Sequence, residues 1–280
     1  MRRFPIVVLS FLLAGPTACL AAPVCMDWRT NENSVPQLDN YNAIEFRRYP
    51  VAPGERGHFT QYFEAWFPEA FEQAGSIAFG QLYERGDPNA FTWMRGFHTI
   101  QDRAISNAAF YYGPVWQEHR EVVNKLLPGD DDNVLLLRPL NPKTQIPVLP
   151  AVDPVTEPKG AQGIVVAVIY AVKKDSVDAF SKQALDALAG HDMAGVHPAG
   201  VLVTLDVPNN FPQLPIRTDG PYLVTLHVVQ DESVLKDSFD PFMKATEQTL
   251  TATGLLRSPP ETIVMDPTGR SRLRWLPQCP

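Results

Sequence analysis

Asn42-Ala43-Ile44-Glu45-Phe46-Arg47-Arg48-Tyr49-Pro50-Val51 is the stretch from which the fold can be read outward. Ile44, Phe46 and Arg48 alternate with Glu45, Arg47 and Tyr49, the two-residue period of a strand. Pro53-Gly54 turns the chain. Between Glu55 and Ala74, the residues Phe59, Tyr62, Phe63, Trp66, Phe67 and Ala70 recur at spacings of three and four, which predicts a helix. Pro68 should kink or split that helix, and Gly75 ends it. Strands are expected at 77–84 and 90–97, parted by the turn Gly86-Asp87-Pro88-Asn89. A helix is expected at 102–110. Gly113-Pro114 breaks it, and Pro114 suits the first turn of another helix reaching Leu127. The segment 133–140 reads as a last strand. The order β-α-β-β-α-β is that of a split βαβ, ferredoxin-like unit.

The same order recurs about 120 residues later, as an internal repeat. An apolar strand is expected at 163–172 and an amphipathic helix at 176–188, through Val177, Phe180, Ala184 and Leu188. Strands follow at 200–207 and 222–229. A helix at 233–253 is broken near Pro241, and a strand at 261–265 is extended by the reading through Arg272 to Trp275. Between the halves stand six prolines, 139, 142, 147, 150, 154 and 158, which favour an extended, semi-rigid linker without helix. The expected division is therefore 40–140 and 161–276, joined by a Pro-rich arm at 141–160.

Composition agrees with two globular units. The 280 residues are 45% hydrophobic and 20% charged, with 31 acidic against 24 basic side chains and a formal charge of −7. An acidic balance argues against nucleic acid as the main partner. Arg2 and Arg3 precede an apolar run, Ile6 to Ala14, and then small residues to Ala22. This is the pattern of a secretory signal over 1–22, and the run is shorter than the roughly 20 residues that span a bilayer. Two processing routes compete: cleavage near Ala21 or Ala22 with release to the periplasm or exterior, or lipid anchoring through Cys19, which is disfavoured by Pro16. Cleavage leaves Cys25 and Cys279, an even pair that predicts a disulfide in an oxidising compartment. Closing so long a loop removes about 4–5 kcal/mol of denatured-state entropy in the chain-entropy model.

Several blocks stand in order at suitable spacings: Ile44-Glu45-Phe46-Arg47-Arg48-Tyr49, Phe91-Thr92-Trp93-Met94-Arg95-Gly96-Phe97, Phe110-Tyr111-Tyr112-Gly113-Pro114-Val115-Trp116, His119-Arg120 and Asp132-Asn133-Val134-Leu135-Leu136-Leu137-Arg138-Pro139. Together they resemble bacterial NIPSNAP-domain proteins. The resemblance covers the first half, while in the second half only Arg270-Ser271-Arg272-Leu273-Arg274 looks familiar. It implies an α+β chain of the dimeric α-β barrel kind, in which two ferredoxin-like units pack sheet to sheet; here both units lie in one chain as a pseudo-dimer. Further oligomerisation stays open. The resemblance brings little chemistry, because the wider fold includes cofactor-independent oxygenases, haem-degrading enzymes and proteins without known catalysis.

In this topology the first and third strands are central neighbours. Glu45, Arg47 and Tyr49 share a face of one, and Trp93 and Arg95 share a face of the other. If the faces coincide, they make a polar, aromatic floor for a small ligand, with arginine free to grip a carboxylate or to pair with Glu45. The alternative is a purely structural Glu–Arg pair. Tyr111, Tyr112, Trp116, His119 and Arg120 cluster at the helix break, either as a pocket wall with an ionisable imidazole or as aromatic packing on the sheet. The six histidines form no paired metal pattern, although His191-Asp192 and His197 share a loop. There is no nucleophile elbow, phosphate loop or dinucleotide fingerprint. No cofactor is implied. The expectation is a protein that binds a small apolar or aromatic molecule in its first half, against a cofactor-independent monooxygenase-like enzyme and a non-catalytic interaction module.

Overall fold

The computed structural model describes residues 25–27, 32–33, 40–129, 133–189 and 193–277. The predicted leader, Cys19, Cys279 and the His191-Asp192 pair lie outside them. A short pairing of Met26–Asp27 with Glu32–Asn33 precedes the main body. No helix among the described residues is long and apolar enough to cross a membrane.

Eight strands form one closed barrel: β1 (Ala43–Pro50), β2 (Ile77–Glu84), β3 (Ala90–Phe97), β4 (Val134–Pro139), β5 (Ile164–Ala171), β6 (Val196–Thr204), β7 (Tyr222–Val229) and β8 (Glu261–Pro267). Around the ring they run β8-β2-β3-β1-β4-β6-β7-β5, and β5 pairs with β8 to close it. Every neighbour is antiparallel. The strands of the first half stand in the order β2-β3-β1-β4 and those of the second in the matching order β6-β7-β5-β8. The halves meet edge to edge, β4 with β6 and β8 with β2. Closure leaves no strand edge in this sheet exposed.

Helices cover the outside. α1 (Arg56–Trp66) and α2 (Pro68–Gln73) are the predicted helix split at Phe67, with Pro68 in the first turn of α2 where its missing N–H costs nothing. Phe59, Phe63, Phe67 and Phe71 continue one buried face across the split. α3 (Ile100–Tyr111) starts with a capping box in which Thr99 and Asp102 satisfy each other's backbone N–H groups. α4 (Pro114–Leu126) follows on the other side of Gly113. In the second half α5 (Val177–Leu188) pairs with α6 (Asp240–Ala252), which a π turn at Leu235–Phe239 precedes.

Alternation along the strands divides the core into three. Ile44, Phe46, Met94, Leu135 and their counterparts Val165, Ala167, Val224 and Leu226 fill the barrel interior. The opposite faces pack under the helices of the first half and of the second. The Pro-rich arm contributes to the interior. It carries one short 3₁₀ turn, Pro142–Thr144, and then sends Ile146 and Val148 into the barrel core. The tail after β8 does the same with Leu273. Each plug meets a glycine at a strand irregularity: a Cβ on Gly200 would lie 3.0 Å from Ile146, and one on Gly80 would lie 3.6 Å from Leu273. Arg272 and the fully buried Arg274 hold the arm to the tail by donating to the Leu149 and Pro150 carbonyls, each at 2.9 Å.

Two boundaries differ most from expectation. β8 stops at Pro267, and Arg272–Trp275 is not strand, because the side chains of Arg272 and Arg274 serve the arm carbonyls and Leu273 turns into the core. β6 begins at Val196 and ends at Thr204, four residues earlier and three residues shorter at the far end than the predicted 200–207, because an irregularity at Pro198/Gly200 lets the strand tolerate a residue without an N–H.

Candidate functional site

The face of β1 under the helices carries Glu45, Arg47 and Tyr49, and pairing with β3 sets Glu45 opposite Arg95, Arg47 opposite Trp93 and Tyr49 opposite Phe91. The two predicted faces are therefore one surface. At its centre the Glu45 carboxylate is fully buried and accepts from three guanidiniums. Oε2 accepts from Arg47 Nε at 2.8 Å and from Arg95 Nη2 at 2.7 Å; Oε1 accepts from Arg103 Nε at 2.7 Å. None of these four side chains has exposed surface. Arg47 Nη1 also donates to the Tyr49 hydroxyl, and Arg103 Nη1 donates to Asn209 and Asn210 of the β6–β7 loop at 2.9 Å each.

Burial works against the Glu45 carboxylate, but the guanidiniums of Arg47, Arg95 and Arg103 outweigh it and hold the carboxyl well below its usual range. Burial likewise opposes the charge on Arg47, and Glu45 more than restores it. Arg103 stands lower than an ordinary arginine: burial depresses it, repulsion from Arg47 and Arg95 adds to this, and Glu45 offsets only part. The cluster thus gathers three cations around one anion.

Aromatic rings roof it. Phe71 stacks on Trp93 at 5.4 Å and 12°, and Phe63 meets the same indole edge-on at 5.1 Å. Above this floor is a cavity of about 620 Å³, within the size range of small-molecule sites. Tyr49, Phe71, Trp93, Phe110, Tyr111 and Trp116 line it, and the exposed Tyr112 stands at its margin. The second half completes the wall with Phe211, Gln213 and Leu214. Arg120 also lines it, but among the described residues no aspartate, glutamate or histidine does. A second cavity, of about 580 Å³, lies beside Arg138 and the 203–222 segment, where Arg217 is already paired with Asp219 and Tyr222.

Of the predicted residues, Glu45, Arg47, Tyr49, Trp93 and Arg95 come together on one face; of these only Tyr49 and Trp93 line the cavity, with Tyr111, Tyr112 and Trp116, while Glu45, Arg47 and Arg95 lie buried and are not among its lining residues. His119 does not line it either. Although Trp116, His119 and Arg120 were expected on one face, α4 turns His119 toward α1, where its Nδ1 lies 2.6 Å from the Tyr62 hydroxyl and its ring stacks on Trp66 at 4.3 Å. The alternative of aromatic packing describes it. His197 stacks on Trp275 at 4.2 Å, and burial lowers its pKa to about 4. No group of three His, Cys, Asp or Glu residues suited to a metal occurs among the described residues. Cys279, the expected partner of Cys25, and Cys19 lie outside the described residues.

Sequence reasoning missed Arg103 and the loop residues Asn209, Asn210 and Phe211. For Arg103 a signal existed: Arg103, Ser106 and Asn107 share the buried face of α3 with Phe110, three polar residues where a helix normally turns apolar ones inward. The matching floor of the second half has lost the charges. Val166 pairs with His227, Val168 with Thr225 and Tyr170 with Leu223, and the row is packed under α5 and α6.

No protein-family model matches the chain, and no curated protein matches it. Solved structures do resemble it. A "putative monooxygenase" from Lactobacillus acidophilus NCFM superposes with a TM-score of 0.52 at 14% identity, over 84% of this chain and 99% of that one. An anthrone oxidase-like protein gives 0.53 at 11% identity, over 86% and 98%. Both likenesses are to the dimeric α-β barrel fold and extend over nearly the whole of those chains. A NIPSNAP-like domain protein from Burkholderia xenovorans is 26% identical over 32% of this chain and 78% of its own, with a TM-score of 0.29.

Proposed function

We propose that this chain is an exported protein of NIPSNAP type that holds a small apolar or aromatic molecule between the sheet and helices of its first half. The observation that carries the reading is the aromatic cavity of about 620 Å³ over Trp93, without a described acid or imidazole in its wall. A binding site needs shape and apolar surface; a catalytic one also needs an ionisable group aimed at the reacting atoms. The residues 40–140 and 161–276 are taken as tandem ferredoxin-like domains joined by the 141–160 arm and closed as a pseudo-dimer; the matching strand orders of the halves support this. Export, removal of 1–22 and a Cys25–Cys279 bridge belong to the same reading.

Native mass spectrometry of the purified chain, paired with thermal shift against planar arenes of one to three rings, tests it. A bound mass that leaves on denaturation, or a raised melting temperature with the arenes, is expected. Bare protein that no arene stabilises would defeat the reading. The second reading, a cofactor-independent monooxygenase-like enzyme, draws on the descriptions of the two full-length structural neighbours. Oxygen uptake with an electron-rich arene and a product carrying an added oxygen atom would favour it over simple binding.

A further inference from the structure

Exposure sorts the lining of the first cavity by chemistry. At its buried base stand rings, Phe59, Phe63, Phe71, Trp93 and Phe110 among them. The side chains that line it and remain exposed are those of Tyr112, Gln117, Arg120, Asn124 and Gln213. The cavity is therefore apolar within and polar at its mouth, and the one charged side chain among its described lining residues is Arg120. α4 builds this edge. Trp116, Gln117, Arg120, Val123, Asn124 and Leu127 recur at the spacing of one helix face, and all six line the cavity. Gln213 reaches the lining from the β6–β7 loop. The Arg120 side chain has no hydrogen bond or ion pair among the described residues. Its own helix offers it no anion, since the positions three and four residues away hold Trp116, Gln117, Val123 and Asn124.

We infer that this cavity takes an amphipathic acid, with a ring-bearing apolar body over Trp93 and a single carboxylate at the mouth beside Arg120. The inference rests on the binding reading above and adds the charge and orientation of the guest. A guanidinium fork matches the planar geometry of a carboxylate. The amides of Gln117, Asn124 and Gln213 supply neutral hydrogen-bond partners around it. A charged group at the base would lose its water among rings, whereas at the mouth it keeps part of its hydration and gains Arg120. The net charge of −7 repels an acid at long range, so a preference for one has to come from a local cation.

Titration calorimetry on the full chain compares three probes of one shape: biphenyl-4-carboxylate, its neutral carboxamide and biphenyl-4-ylmethylammonium. The acid is expected to bind about three- to tenfold tighter than the amide at low ionic strength, a modest ratio because the mouth is open to solvent. High salt should shrink the margin. Arg120→Gln should erase it while leaving amide affinity and the melting temperature in place, since this side chain is exposed. Lys125→Gln, on the same helix but outside the cavity lining, should retain it. Equal affinity for acid and amide, or a preference that survives Arg120→Gln, would overturn the inference and leave the cavity reading standing. So would tightest binding by the ammonium, the outcome expected if the three aspartates that follow Gly129 in sequence governed the mouth. Failure of all three probes and of every arene to bind would overturn both.

Discussion

Glu45 accepts from Arg47, Arg95 and Arg103 with no surface exposed, so removing its charge strands three cations in the core. Glu45→Gln should lower stability in urea unfolding by roughly 3–5 kcal/mol, the cost of breaking a buried charge pair. The pH dependence has a definite sign. The folded carboxyl titrates well below its unfolded value, so its stabilisation is fully present above the unfolded pKa, near 4.3, and is lost as pH falls toward the folded pKa. Acid titration followed by fluorescence should therefore show wild type losing stability below about pH 4, a component that Glu45→Gln lacks. At this scale the sequence was informative where a period of two applied. Alternation placed Glu45, Arg47 and Tyr49 on one face and Trp93 and Arg95 on the other half of it. It could not place Arg103, which reaches the same carboxylate from a helix 58 residues away, nor foresee that His119 turns to Tyr62. Those contacts depend on how helices rotate on the sheet, and no local pattern encodes that.

Elements hold these residues in register, and α3 is the one whose anchoring bears on the site. Its capping box at Thr99 and Asp102 fixes the first turn, one residue before Arg103. Thr99→Ala should cost about 1 kcal/mol in chemical unfolding, and up to about 2 if Asp102 is left without its partner. The same variant should weaken binding of an arene by the cavity, while Lys182→Ala on the exposed face of α5 should not. Proline and glycine made the element boundaries of the first half readable. Pro68 splits α1 from α2 and Pro114 starts α4, as fixed φ and a missing N–H require. Boundaries failed where side chains left the strand to serve another segment. Arg272 and Arg274 donate to the arm carbonyls instead of continuing β8, a long-range demand that β-like composition conceals.

The whole molecule is one barrel with a shared interior, to which both halves and both trailing segments contribute. Leu273, almost fully buried, lies in that interior from the far end of the chain. Leu273→Ala should destabilise by roughly 2–5 kcal/mol. Calorimetry should record one unfolding transition that moves down as a unit, and two separated transitions would refute a common core. The repeated element order predicted two equivalent halves, and the strand orders agree. What repetition could not reveal is their unlikeness under the helices, where charges line one floor and Val166, Val168 and Thr225 the other. The halves also trade pieces: the loop carrying Asn209, Asn210 and Phe211 belongs to the second but seals the cavity and steadies Arg103 of the first. Any guest in that cavity would touch both halves at once, so its binding would oppose their separation and raise the cost of pulling them apart.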